Sequence, residues 1–276
     1  MPSWEIHMAG RVQGVGFRPF VYRMARARQI SGEVCNGPDG VRIKCNGSRE
    51  QVESFTAELL SQLPPMAVVT QHSISPITAK NYPDFRITAS QLSGKAGLYI
   101  APDFSLCSDC RRELLDPVNR RFAYAFITCT NCGPRYAVQR KLPYDRERTA
   151  MANFKMCPDC QGEYESPEDR RYHSQTNSCP TCGPQWQLLN RQLLDQQVDN
   201  LKRVAKLLES GHIVAVKGTS GYLLCCDATN DQAVGELRKR KARPDKPFAL
   251  LVADLDTANS IAELSLQAKK ELSSPA

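Results

Sequence analysis

Long apolar runs are missing from this 276-residue chain. No stretch approaches the roughly 20 consecutive apolar residues that carry a helix across a bilayer, so a helical membrane protein is excluded. The opening residues, MPSWEIHMAGRVQG, lack a basic flank followed by an apolar core and therefore lack the mark of a secretory signal. A cytoplasmic protein without a membrane partner is expected. A concentrated basic stripe is missing too. The net charge is +7, but the excess is spread thinly and there is no basic tail. Nucleic acid is therefore not the expected partner. Hydrophobic content of 41% and charged content of 24% fit a soluble globular chain, and the length fits about two domains.

Cysteine, by contrast, is plentiful: there are 12. Eight of them fall into Cys-x-x-Cys pairs, Cys107/Cys110, Cys129/Cys132, Cys157/Cys160 and Cys179/Cys182. In a reducing compartment such spacing points to metal rather than to disulfides. The pairs belong to an internal repeat. CSDCRRELLDPVNRRFAYAFITCTNCGP aligns without a gap on CPDCQGEYESPEDRRYHSQTNSCPTCGP. Asp109/Asp159, Glu113/Glu163, Pro117/Pro167, both Arg-Arg pairs and the Cys-Gly-Pro ends coincide. Zinc takes four thiolates in a tetrahedron, and a Cys-x-x-Cys knuckle supplies two of them from one tight turn. Four thiolates leave no open position for water, so two structural zinc ions are expected. Gly133 and Gly183 are read as relieving crowding where amides turn toward sulfur. The duplication favours pairing within each repeat; a crossed pairing, first knuckle with fourth and second with third, uses the same eight residues. A dithiol redox role is a further alternative. His173 is read as packing or facing a neighbouring domain rather than as a ligand. Cys35 and Cys45 are read as small buried hydrophobes on strands; Cys225 and Cys226 have no knuckle spacing either.

Ahead of the repeat, residues 3–12 alternate Trp4, Ile6, Met8 and Val12 as a strand does. A helix is predicted from Arg18 to Gln29, with Pro19 in its first turn, where a missing N–H does no harm. Two strands, ISGEVCN and GVRIKCN, follow around the turn GPDG. An amphipathic helix over 49–62 carries Val52, Phe55, Leu59 and Leu63 on one face, and strands are predicted at 67–74 and 84–89. The order is βαββαβ, a split βαβ arrangement with helices on one face of an antiparallel sheet. In that frame the loop Gln13, Gly14, Val15, Gly16, Phe17 leads into a helix N-terminus. Bare amides and a helix dipole favour an anion there, and the Arg18 fork matches phosphate oxygens. The loop reads as a phosphate cradle.

After Trp186 a polar stretch, NRQLLDQQVDN, precedes an amphipathic helix ending near Ser210-Gly211. HIVAV and FALLV read as two buried strands flanking a helix at about 231–241, a strand–helix–strand unit of an α/β sheet. A helix from about 255 to 272 follows.

GRVQGVGFR together with GEVCNGPDGVRIKCNG resembles the two signatures of the acylphosphatase family, over residues 1 to about 90. The resemblance implies that Arg18 binds the phosphoryl group and that Asn36 positions the attacking water. VKGTSGYLLCCDATN and KARPDKP resemble the YrdC family, which makes carbamoyl-type adenylates from ATP. That likeness implies nucleotide or acyl-oxygen contacts from Lys217, Thr219, Lys241 and Arg243; a basic helix end offsetting its own dipole is the plainer reading of the last two. The family's later Ser-x-Asn motif is not found after FALLV, so this part is expected to be incomplete. The order of the three parts resembles the N-terminal portion of the HypF family, carbamoyltransferases of nickel-iron hydrogenase maturation. The expected organisation is α+β and multidomain: a ferredoxin-like acylphosphatase domain over 1–91, a duplicated four-cysteine zinc region over 104–186 and an incomplete α/β YrdC-like domain over 197–276. The resemblance implies that carbamoyl phosphate is hydrolysed to carbamate. ATP with Mg then forms carbamoyl adenylate, and the carbamoyl group passes to the C-terminal cysteine of HypE. The competing expectation is a zinc-ribbon module that binds nucleic acid or protein and carries a degenerate acylphosphatase domain.

Overall fold

The alternation at the start of the chain produces a strand whose Ile6 and Met8 are wholly buried. The structure, a computed structural model, describes residues 1–91, 100–190, 193–195, 200–218 and 221–274. They form two units, residues 1–184 and residues 185–274.

The first unit begins with β1 (Ser3–Arg11), α1 (Phe17–Ala27), β2 (Gly32–Gly37), β3 (Gly40–Asn46), α2 (Arg49–Ser61), β4 (Val68–Ile77) and β5 (Phe85–Ile87). The sheet order is β4-β1-β3-β2-β5. Every pairing is antiparallel except β2 with β5. This is the ferredoxin-like plan expected from the sequence, with β5 added at one edge. Helix α2 starts at a capping box in which Ser48 and Gln51 satisfy each other's backbone N–H. It turns Val52, Phe55 and Leu59 into the core beside Phe17, Val21 and Ala25 of α1. Cys35 and Cys45 are buried in the sheet, and burial pushes the Cys45 thiol up to about 12.

The repeats follow. Cys107 and Cys157 sit at the N-caps of α3 (Ser108–Leu115) and α4 (Pro158–Glu165). The two copies interlock through their Arg-Arg pairs. Arg121 of the first copy grips Glu163 of the second at 2.8 and 2.5 Å and donates to the Ser178 carbonyl. Arg171 of the second copy reaches Glu113 of the first at 2.5 Å and donates to the Thr128 carbonyl. The repeat is thus an internal pair in which each half completes the other.

Of the glycines after the knuckles, Gly183 makes room for the other copy and Gly133 for Thr128 of its own; no sulfur is among the nearest atoms of either. A Cβ on Gly183 would come within 2.1 Å of the Tyr124 hydroxyl and 2.6 Å of Ser178 Cβ; one on Gly133 would meet Thr128 Oγ1 at 2.3 Å. Gly183→Ala should therefore cost about 1–3 kcal/mol, the usual scale of overpacking. A thermal melt of the variant should show a clear loss of Tm; an unchanged Tm would count against the interlock.

The second unit departs from expectation in several places. A hairpin, β6 (Leu188–Asn190) with β7 (Leu193–Asp195), lies in the stretch read as a polar connection. After α5 (Asn200–Glu209), strand β8 (Val214–Lys217) pairs antiparallel with β9 (Tyr222–Cys225), so the expected strand–helix–strand crossover is replaced by a hairpin. Helix α6 (Asp231–Arg240) forms where the sequence placed it. FALLV is not a strand. Its Leu250 and Leu251 are exposed, because an extended segment becomes a strand only where a neighbour takes its backbone hydrogen bonds. The final helix is two: α7 (Leu255–Ile261), capped by Asp254, and α8 (Leu266–Leu272), capped by Ser265. The Ser265 side chain accepts from the Ala268 N–H, and that local bond starts a new helix in place of continuing the old one.

Candidate active site and zinc centres

The loop between β1 and α1 keeps only its backbone for a ligand. Val15 and Phe17 turn their side chains into the core. Gly14 and Gly16 both take φ 73°, the left-handed region that glycine enters without cost. None of the amide N–H groups from Gly14 to Arg18 finds an acceptor among the described residues, and they precede or open α1. Gln13 is committed elsewhere. Its side chain donates to the carbonyls of Gly37 and Gly40 at 2.7 and 2.9 Å and accepts from the Tyr144 N–H at 3.0 Å, leaving only its backbone beside the cradle.

Arg18 and Asn36 are buried and converge on one atom. Arg18 donates to the Tyr144 carbonyl oxygen at 3.4 Å and Asn36 Nδ2 donates to the same oxygen at 3.3 Å. The Arg18 guanidinium also pairs with the Asp145 carboxylate at 3.0 Å. Asn36 Oδ1 is buried with no partner. A buried acceptor of this kind calls for a donor such as a water or a substrate N–H.

Tyr144 and Asp145 belong to the zinc region, and so does the rest of the roof. Thr130, Arg135, His173 and Ser174 line the same cleft as Arg18 and Asn36. Arg135 bonds the Gly14 carbonyl through Nε and the Cys132, Cys129 and Thr130 carbonyls through its Nη atoms, which ties a cysteine knuckle to the loop. His173 faces the neighbouring domain, one of the two places the sequence allowed it. Burial, and then the Arg18 charge, lower its imidazole to about 4, so the ring is neutral near pH 7. Tyr144, Asp145 and Arg135 escaped the sequence reading. They lie between the repeats or just past a knuckle, in no motif; the one available signal was that the segment joining the copies had been given no task.

The eight knuckle cysteines form two clusters, Cys107, Cys110, Cys129, Cys132 and Cys157, Cys160, Cys179, Cys182, each with its sulfurs within 4.8 Å of one another. Zinc–sulfur bonds of about 2.3 Å require tetrahedron edges of roughly 3.8 Å. The sulfur–sulfur edges match: 3.7 Å for Cys107–Cys129 and Cys129–Cys132, and 3.7, 3.8 and 3.6 Å in the second cluster. Pairing is local, within each repeat. These are two zinc-binding sites, and His173 belongs to neither. A tetrathiolate zinc centre carries excess negative charge, which the opposite repeat answers. Arg170 reaches Cys110 Sγ at 3.2 Å and Arg120 reaches Cys160 Sγ at 3.3 Å. Elemental analysis of the purified chain should return two zinc ions per molecule; a value near one would mean that one centre had been misread.

In the second unit Lys217 ends β8 and lies 5.7 Å over the Tyr222 ring, while Arg243 stacks 5.6 Å over Phe248. Lys241 caps the C-terminus of α6. The described contacts join none of these to another, and Thr219 lies outside the described residues. No helix among the described residues is long and apolar enough to cross a membrane.

A ferredoxin-like sheet whose first loop offers free amides, beside a converging arginine and asparagine, defines an acylphosphatase-type protein, here fused to a duplicated zinc finger. Three family profiles match in that order: Acylphosphatase over residues 4–87, HypF finger over 106–139 and 156–189, and the Sua5/YciO/YrdC profile, described as Telomere recombination, over 206–275. The chain belongs to the HypF family. It is 48% identical over 252 residues to Carbamoyltransferase HypF of Synechocystis sp., matching 91% of this chain and 33% of that one. Residues at the N-terminal end are 40% identical over 88 residues to an acylphosphatase of Thermotoga maritima, 32% of this chain and 97% of that one. A crystal structure of full-length HypF in the phosphate- and nucleotide-bound form superposes with a TM-score of 0.92 at 38% identity, covering 99% of this chain and 36% of the other. The chain thus spans about a third of the length of the curated HypF relatives it matches.

Proposed function

We propose that the cradle hydrolyses carbamoyl phosphate as the first step of a carbamoyltransferase reaction. The observation that carries this reading is the convergence of Arg18 and Asn36 beside unpaired amides. The loop amides and the Arg18 fork hold the phosphoryl oxygens, the guanidinium exchanging Asp145 for the dianion. The free Asn36 Oδ1 accepts a hydrogen bond from a water and aims its oxygen at phosphorus. The new P–O bond forms as the bond to the acyl oxygen breaks; the electron pair leaves on carbamate, and the water's proton ends on phosphate. An acyl phosphate has a good leaving group, so positioning and charge stabilisation carry the step.

The later steps rest on the relatives. Carbamate would be activated with ATP and Mg as carbamoyl adenylate, with Lys217, Thr219, Lys241 and Arg243 as the nucleotide-side residues, and the carbamoyl group would pass to the C-terminal cysteine of HypE. The full-length HypF crystal structure was obtained in a phosphate- and nucleotide-bound form, which supports both halves of this reading. Eight cysteines gathered into two metal-binding clusters accord with a reducing, cytoplasmic location. A degenerate domain serving only as a binding module finds no support in a site whose two key side chains are in register. The test is phosphate release: the zinc-loaded chain should liberate phosphate from carbamoyl phosphate well above the uncatalysed rate, and a rate equal to that of buffer would end the proposal.

A further inference from the structure

The two repeats share a scaffold but differ sharply in one segment. In the six residues after the Arg-Arg pair the first copy reads Phe122-Ala123-Tyr124-Ala125-Phe126-Ile127. At the same six positions the second reads Tyr172-His173-Ser174-Gln175-Thr176-Asn177. Five of the six positions have lost an apolar or aromatic residue to a polar one, and the second copy is the one whose segment lines the cleft above Arg18 and Asn36.

Most of the new polar groups have work within the fold. Gln175 holds the Arg146 N–H at 2.7 Å and the His173 carbonyl at 2.8 Å. Thr176 meets Thr128 at 3.1 Å, and Asn177 bonds the Cys160 carbonyl, Glu163 and Arg121. Two do not. The Ser174 hydroxyl is buried, in a residue 3% exposed, and has no hydrogen-bond partner. The His173 ring packs on Tyr164 and Tyr172, with centroids 5.0 and 4.6 Å away, and makes no hydrogen bond among the described residues. Both line the cleft. His173 repeats the backbone of its counterpart, φ 54° against 55° at Ala123. Its left-handed conformation therefore belongs to the scaffold, and the imidazole is what was added.

We propose that His173 and Ser174 of the second zinc repeat read the acyl group of the substrate, selecting a carbamoyl amide over an acetyl methyl. This rests on the phosphoryl cradle described above. With the dianion held by the loop, the acyl end points away from the sheet, into the roof. A carbamoyl group ends in an NH2 with two donors beside a carbonyl acceptor. The neutral imidazole and the hydroxyl supply an acceptor and a donor each. An acetyl group would set a methyl against these polar atoms and leave the buried Ser174 hydroxyl unpaired. A site built to hydrogen-bond its substrate rejects an analogue lacking the donor far better than an apolar pocket rejects a change of size.

Two phosphonates test this without turnover. Phosphonoacetamide and acetonylphosphonate are carbamoyl and acetyl phosphate with the bridging oxygen replaced by CH2. Titration calorimetry on the zinc-loaded 276-residue chain should show the amide binding at least about 10-fold tighter than the ketone. His173→Ala, which installs the first copy's own residue, and Ser174→Ala, which removes one oxygen, should each bring that ratio below about 3-fold with the ketone's affinity unchanged. Zinc content of two per chain checks their folding. A wild-type ratio near one overturns the proposal, as does equal weakening of both ligands in the two variants or binding of neither ligand. A preserved ratio in a chain that releases no phosphate would instead defeat the hydrolysis reading and leave the selection standing.

Discussion

Arg18→Ala should lower phosphate release from carbamoyl phosphate by about 10³-fold, the scale seen when one preorganised charge is removed from a phosphoryl site. Among the described residues lining the cleft, no unengaged guanidinium is left to replace it. Arg135, which lines the cleft with Arg18, already donates to the carbonyls of Gly14, Cys129, Thr130 and Cys132. Arg18→Lys should recover only part of the rate, because an ammonium lacks the planar fork that spans two phosphoryl oxygens. Both variants should keep two zinc ions per chain, since the thiolate clusters are neutralised by Arg120 and Arg170 and not by Arg18. Steady-state kinetics with a phosphate assay read the outcome. Equal rates for wild type and Arg18→Ala would show that the cradle is not where the chemistry occurs.

The second large effect concerns stability. Arg121→Ala should cost about 3–5 kcal/mol, the scale for breaking a buried ion pair: Arg120 stays on Glu163, but the buried acceptors of Ser178 and Asn177 lose their donor as well. Arg121 is 2% exposed and grips the Glu163 carboxylate with both Nη atoms. Burial alone would raise the Glu163 carboxyl, but Arg121 and Arg120 hold it down to about 2. At roughly 2–4 °C per kcal/mol for a unit of this size, calorimetry should show a Tm lowered by about 6–20 °C. Replacing both partners, Arg121→Met with Glu163→Leu, should recover part of that loss, because the buried Arg121 charge is gone with its partner, while Arg120 loses Glu163 but is partly exposed and keeps Cys160. A loss below about 1 kcal/mol in the single variant would mean that the copies are held together by something other than this exchange of arginines.

The parts legible in the sequence were those built from local rules. Strand alternation, the amphipathic spacing of α2 and the knuckle spacing each act over a few residues, and the structure keeps them. The coincidence of Glu113 with Glu163 and of the Arg-Arg pairs was visible in the aligned repeats. Their exchange between copies was not, because a self-alignment gives equivalence and not contact. The loop and Arg18 could be read as an anion site, yet its roof could not: Tyr144 and Asp145 lie more than a hundred residues downstream, and only the packing of the zinc region onto the sheet brings them to Arg18 and Asn36. FALLV misled because an apolar run specifies burial or pairing without saying which strand, if any, lies beside it.

The central claim is that the cradle grips the phosphoryl end while water attacks phosphorus. Hydrolysis of carbamoyl phosphate in H2 18O, with the phosphate analysed by mass spectrometry under single-turnover conditions, tests it directly. One 18O atom in each phosphate released is the predicted result. Unlabelled phosphate would mean that the C–O bond is the one that breaks, by attack at the carbonyl or by elimination to cyanate, and would contradict the assignment of Arg18 and Asn36.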